Sequence, residues 1–241
     1  MNTVALAQEA GANVNLTWWE GPYPAEEQKR RTVMDDFAAI VEEARRRGHR
    51  CITHLTIQNE VNGEHVDIGG AGDTQQSMEL YNLLYRDLDA ALRARADPLK
   101  PSETMRDAVQ LVGGDLVEQG NSHQDEWLTF MQQQMRDVLD GYSIHVYWTP
   151  ADYAKFEHRL QHLTEMIGQL KIRKPIYVTE YGVKATNQGE PGTIDGQNPE
   201  DLVDTAFEHG WFNALAPQLG CVGLAKWVLY RTEAPASASG A

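Results

Sequence analysis

Short runs of apolar and β-branched residues alternate with helix-period segments along almost the whole chain. Neighbouring parallel strands need a crossover of a dozen or more residues, usually a helix, so this alternation implies a parallel sheet covered by helices. Six strands are expected, at 13–18, 51–60, 110–114, 142–147, 174–182 and 222–227. Inward stripes spaced by threes and fours mark the helices between them: Val33, Phe37, Ile40, Val41 and Ala44, then Met78, Tyr81, Tyr85, Leu88 and Leu92. Trp127, Phe130, Met131 and Val138 outline a further helix, and Tyr153, Phe156, Leu160, Leu163, Ile167 and Leu170 carry the strongest helical signal. The chain opens with an alanine-rich helix closed by Gly11, and Arg45-Arg46-Arg47-Gly48 reads as a basic helix terminus followed by glycine.

With 241 residues the chain is long enough for one large domain, since α/β barrels commonly reach about 200–250 residues as a single unit. No composition shift marks a linker, so 1–233 is expected to be one domain, with the small-residue stretch 234–241 a disordered tail. The long polar, glycine-rich stretch 183–199 is expected to be a loop. The 21 Lys and Arg against 35 Asp and Glu give a net charge of −14. That charge opposes nucleic acid or anionic membrane and favours neutral or cationic ligands. No apolar run approaches the roughly 18 residues of a membrane span, and the N-terminus lacks the basic and apolar segments of a signal peptide, so a soluble protein is expected. Cys51 and Cys221 stand at strand starts and are expected to be buried free thiols.

Two of the strands end on a carboxylate. Lys174 to Gly182 runs Lys-Pro-Ile-Tyr-Val-Thr-Glu-Tyr-Gly and delivers Glu180, and the strand from Cys51 delivers Glu60 after Gln58-Asn59. Function gathers at strand C-terminal ends in barrels and open α/β sheets alike. Taken singly, each glutamate reads equally as a cap or loop carboxylate; their matched placement favours paired-acid chemistry. Retaining cleavage of a glycosidic bond needs two carboxyl groups about 5–5.5 Å apart, one as nucleophile and one as acid and then base. The acid of such a pair has to stay protonated until the bond breaks, and a second charge nearby raises its pKa.

Aromatic faces suit the apolar face of a pyranose, which makes Trp18, Trp19, Trp148 and Trp227 candidate sugar platforms; Trp127 and Trp211 lie on expected helices and read as packing. Asp115, at a strand end, is either a polar site wall or a turn-initiating residue. His54 reads as a satisfied interior polar group. The His and carboxylates show no metal-ligand spacing, and neither metal nor cofactor is expected.

With these residues in place the sequence resembles the clan A glycoside hydrolases, the cellulase-like retaining β-glycosidases. Their (β/α) barrels carry an Asn-Glu acid/base at the end of the fourth strand and a nucleophilic Glu at the end of the seventh. Asn59-Glu60 and Glu180 match those positions, with three strand-helix steps between them. Ser143-Ile144-His145-Val146-Tyr147 is similar to the sixth strand, and Ala225-Lys226-Trp227 to the end of the eighth. The resemblance implies Glu60 as acid/base, Glu180 as nucleophile, and Asn59 on the sugar 2-hydroxyl. It also implies Tyr147 or His145 holding Glu180 ionised, and Trp227 beneath the sugar at the point of cleavage. It implies a carbohydrate substrate and a TIM-type barrel of about six strands, corresponding to strands three to eight of the family fold. Such a sheet has two apolar edges, so self-association is expected. The alternative is an inactive barrel fragment, or a carbohydrate-binding remnant, that self-associates to cover those edges.

Overall fold

The computed structural model describes residues 2–19, 23–63, 68, 74–117, 123–148, 174–183, 210 and 212–226. In chain order the elements are α1 (Asn2–Glu9), β1 (Val14–Trp18), α2 (Glu27–Arg46), β2 (Ile52–Ile57), α3 (Thr74–Arg93), β3 (Ala96–Asp97), β4 (Lys100–Thr104), α4 (Met105–Ala108), β5 (Gln110–Leu116), α5 (Gln124–Gln134), β6 (Gly141–Trp148), β7 (Ile176–Val183) and β8 (Cys221–Lys226). The six long strands form one sheet in the order β1-β2-β5-β6-β7-β8, every neighbouring pair parallel. The sheet curls as a half-barrel, and among the described residues no pairing joins β8 to β1, so these two are its edges. All six strands expected from the alternation are present. The helix expected over 153–170, most of the loop 183–199 and the tail 234–241 lie outside the described residues. No helix among the described residues is long and apolar enough to cross a membrane.

Helix periodicity builds the outer layer. Met34, Phe37, Ala38, Val41 and Ala44 of α2, and Met78, Tyr81, Leu84, Tyr85, Leu88 and Leu92 of α3, turn inward into one core with Leu55, Ile57, Leu111, Ile144, Ile176 and Val178 of the strands. Ile40, placed on the α2 stripe by spacing, is instead 52% exposed. Trp127 is buried and sets its ring edge-on to Tyr81 at 5.5 Å, as expected for a packing residue. Cys51 and Cys221 are both free and buried.

The basic run at the end of α2 does more than close a helix. Arg46 and Arg47 pair with Glu42 and Glu43 on the surface, but Arg45 turns inward and makes a two-pronged contact with Asp97, at 2.9 and 2.6 Å. Asp97 also accepts the Leu99 N–H at 2.9 Å, which fixes the turn of a small antiparallel hairpin, β3–β4. Two prolines and a polar sequence hide this hairpin from pattern reading.

Inside the half-barrel one side chain spans most of the lumen. Tyr177 of β7 stacks edge-on against His54 of β2 at 4.9 Å and donates its hydroxyl to Gln110 of β5 at 2.7 Å. The ring has room only because its flanks are glycines: a Cβ at Gly141 on β6 would fall 2.6 Å from the ring, and one at Gly223 on β8 2.8 Å. His54 is half-buried and bonds Thr53, the satisfied interior group that was expected, and burial pushes its pKa down. A cavity of about 240 Å³ remains beside Tyr177, bounded by Asn13 and Asn15 on the β1 side and Val222 on the β8 side.

Candidate active site

At the C-terminal rim the regular alternation of the strands is broken twice, and both breaks serve the same cluster. On β7, Val178 sits opposite Ile144 but Glu180 sits opposite His145, so one extra residue, Thr179, is accommodated. A bulge of this kind re-aims the side chains around it. Thr179 therefore reaches Asp115 at 2.5 Å, while Glu180 accepts the Tyr147 hydroxyl at 2.7 Å. On β5 the register slips between Gly113 and Leu116, where Gly114 has φ +116° and Asp115 φ +44°. The Asp115 N–H is held by the Ser143 hydroxyl at 2.8 Å.

The end of β2 is similarly contorted. Gln58 and Glu60 both adopt left-handed backbone, at φ +63° and +51°. Of the four non-glycine residues described with positive φ, three are Gln58, Glu60 and Asp115, grouped around the site. Each such conformation costs on the order of 1–3 kcal/mol and persists only where the surroundings enforce it, a pattern typical of functional sites.

His145, 1% exposed, is the centre of the cluster. Its Nδ1 lies 3.0 Å from Glu60 Oε1 and 3.4 Å from Glu180 Oε2, and its Nε2 lies 3.8 Å from Asp115 Oδ1. One imidazole thus faces three carboxyl groups. Burial is the largest influence on it and opposes its charge, but the hydrogen bond to Glu60 and the charges of Asp115 and Glu180 outweigh it, and the His145 pKa is raised. Burial also dominates at Glu180 and lifts its carboxyl above the ordinary value, helped by Asp115 and Glu60; His145 and the Tyr147 hydroxyl pull the other way.

Glu60, His145 and Glu180 each offer one ligand atom, all within 4.8 Å of one another, and among the described residues they form the one group with metal-like spacing. The same spacing brings a carboxylate oxygen of Glu60 within 4.8 Å of one of Glu180. Chemically the arrangement can do paired-acid work: one carboxyl accepts a phenolic hydrogen bond, another is hydrogen-bonded to an imidazole, and both stand at the open ends of parallel strands.

The structure thus brings together Glu60, Glu180, His145, Tyr147 and Asp115 from the residues singled out in the sequence. His145 stands closer to Glu60 than to Glu180, so it serves both acids where it was expected to serve one. Asn59 is half-buried beside Glu60, and its carbonyl accepts the Gln58 side-chain amide at 2.9 Å. Trp18 packs its ring against Phe37 of α2, 5.3 Å between centroids, which places it with the core rather than over the carboxylates. Trp19 is 51% exposed. The Trp148 side chain and the whole of Trp227 and Trp211 lie outside the described residues. Pattern reading missed Thr179 and Ser143 as partners of Asp115; the Gly113-Gly114 pair inside a strand was the available sign, since glycine there marks a bulge.

A parallel half-barrel with a paired-carboxylate centre on its C-terminal rim is the architecture of the sugar-cleaving barrel enzymes. Residues 90–209 match the family described as glycosyl hydrolase catalytic core. The fold is similar to that of fungal β-1,4-galactanases, at 12% identity over 93% of this chain and 71% of theirs, with a TM-score of 0.65. It is also similar to the GH53 catalytic domain of Ignisphaera aggregans (14% identity, 94% and 65% coverage, TM-score 0.57). A third match is XEG5A, a GH5 xyloglucan-specific endo-β-1,4-glucanase from a metagenomic library (13% identity, 93% and 65% coverage, TM-score 0.55). At these identities the likeness is one of fold. The chain spans 31% of one matched structure and 73% of another. No curated protein matches the sequence.

Proposed function

We propose that the chain is a glycoside hydrolase that cleaves β-linked neutral sugars with retention of configuration, Glu180 acting as nucleophile and Glu60 as acid and then base. The observation that carries this reading is the approach of Glu60 and Glu180 to within 4.8 Å across His145. That spacing suits the roughly 5–5.5 Å of a double displacement and leaves no room for the water an inverting pair must hold between its carboxyls. In the first step Glu180 attacks the anomeric carbon while Glu60 gives its proton to the leaving oxygen. Water, deprotonated by Glu60, then releases the sugar. Tyr147 supports the ionised Glu180 by donating its hydroxyl at 2.7 Å. Asn59 is assigned to the sugar 2-hydroxyl, and Trp19, Trp148 and Trp227 to sugar contact. Because burial lifts the Glu180 carboxyl, the acid limb of the pH–rate profile is expected above the ordinary carboxylate range.

The test is a panel of aryl β-glycosides with Glu180→Gln and Glu60→Gln. Glu180→Gln should lower kcat/KM by at least about 10³-fold across the panel, and Glu60→Gln should lower it by about 10²-fold or more for poor leaving groups and little for very good ones. Added azide should then yield a glycosyl azide of inverted configuration from Glu180→Ala and of retained configuration from Glu60→Ala. Turnover undiminished in Glu180→Gln sinks the mechanism.

One observation favours a second reading, in which the chain binds sugar without cleaving it: among the described residues nothing pairs with the outer sides of β1 and β8, so the sheet curls without closing. Under that reading the wild type hydrolyses none of the panel yet still binds an oligosaccharide in calorimetry.

A further inference from the structure

The backbone ladder between β2 and β5 stops early, and side chains take over its work. The two strands pair at only His54 with Gln110 and Leu55 with Leu111. Above that point Tyr85 of α3 enters the gap: its hydroxyl accepts the Ile57 N–H at 3.0 Å and donates to the Val112 carbonyl at 2.6 Å, one bond to each strand. Tyr81, one turn earlier, accepts the Gly114 N–H at 3.0 Å and donates to Tyr85 at 3.3 Å. The protons run in one direction, from Gly114 through Tyr81 and Tyr85 to Val112, so every donor in the chain has its acceptor. Both tyrosines are fully buried. Further up, the Val61 N–H reaches the Gly114 carbonyl at 3.3 Å. The buried Asn62 amide then pairs with both backbone groups of Val117, at 2.9 and 2.7 Å, as a strand neighbour would.

Glu60, with φ +51°, sits between Ile57 and Asn62 in sequence, and Asp115, with φ +44°, between Gly114 and Val117. Each strained carboxylate residue is therefore stitched on both sides to the same opposite strand. We propose that Tyr85 and Asn62 are positioning residues, which prise β2 from β5 and hold Glu60 in its left-handed turn, 3.0 Å from His145. Without the stitches the turn relaxes toward ordinary right-handed or extended backbone, and the Glu60 carboxyl swings away from the site.

This proposal rests on Glu60 being the general acid, and it has a signature that a loss of fold does not share. A general acid matters when the leaving group is poor and hardly at all when it is very good. Tyr85→Phe removes one oxygen, and Asn62→Ala removes the amide. Each should lower kcat about tenfold or more on a 4-methylphenyl β-glycoside, the scale expected of a displaced catalytic group. The rate of glycosyl-enzyme formation from a 2,4-dinitrophenyl β-glycoside should stay near the wild type. An equal loss on both substrates, or no loss on the poor one, overturns the proposal. If the wild type turns over neither substrate, the glycosidase reading fails and the clamp is still read directly. The His145 imidazole, followed by nitrogen NMR in full-length protein, should titrate at lower pH in Tyr85→Phe and Asn62→Ala, because Glu60 has left its side while Asp115 and Glu180 remain. An unchanged His145 midpoint in both folded variants overturns the clamp.

Discussion

His145 couples charge to fold through its three carboxyl neighbours. Its pKa is raised because contact with Glu60 and the charges of Asp115 and Glu180 outweigh burial, so the charged imidazole is favoured by folding. Its contribution to stability is fully present below the ordinary histidine value of about 6.5 and is lost as pH rises through the higher, folded value. Glu180 works with the opposite sign: with its carboxyl lifted by burial, its ionisation costs stability once pH passes the ordinary carboxylate range. Melting temperatures of the wild type and His145→Gln, taken from pH 5.5 to 8.5, should show the largest wild-type advantage at the acid end, shrinking above pH 6.5. A gap that widens toward pH 8.5 would refute the assignment. Glu60, Glu180, His145 and Tyr147 were legible in the sequence because each ends a strand of clear apolar pattern. Thr179 was not, because an unbroken period of two places residues 179 and 180 on opposite faces. Only a bulge turns both into one site, and neither neighbour of Thr179 in the sequence, Val178 or Glu180, is a glycine that would announce it.

Among the elements, the β3–β4 hairpin depends on a single buried ion pair. Arg45 and Asp97 are 8% and 0% exposed at their side chains, and Asp97 also takes the Leu99 N–H. Removing one partner of such a pair leaves a charge buried without compensation, which typically costs about 3–5 kcal/mol. Asp97→Ala should therefore lose about that much in chemical denaturation. Arg46→Ala, which breaks only exposed pairs with Glu42 and Glu43, should change stability by less than about 1 kcal/mol. Equal losses would show that Arg45 and Asp97 form no clamp. The long helices α2 and α3 were legible because three-and-four spacing is an internal property of each segment. Arg45 was not: a basic run ahead of glycine has the same local appearance whether its side chains meet solvent or a hairpin some fifty residues away.

For the molecule as a whole, the edges matter most. Among the described residues β1 and β8 each pair on one side alone, and Val222 on β8 is 60% exposed. Such edges pair readily with another chain, so self-association through them is our expectation, opposed by the −14 charge carried on every copy. Light scattering should then give a mass that grows with protein concentration, and grows further when salt screens the repulsion. A monomer at every concentration and salt would rule association out. The six strands of the main sheet were legible from the alternation, whereas the register shifts between them and the short β3–β4 hairpin are not reported by periodicity.

Tyr177 and its two glycines carry a further consequence. The ring occupies the space that side chains at 141 and 223 would take, one from each neighbouring strand. A methyl group at either position meets that ring, and at 141 it also meets the Pro175 carbonyl at 3.0 Å, so the size of the side chain at 177 limits what 141 and 223 can carry.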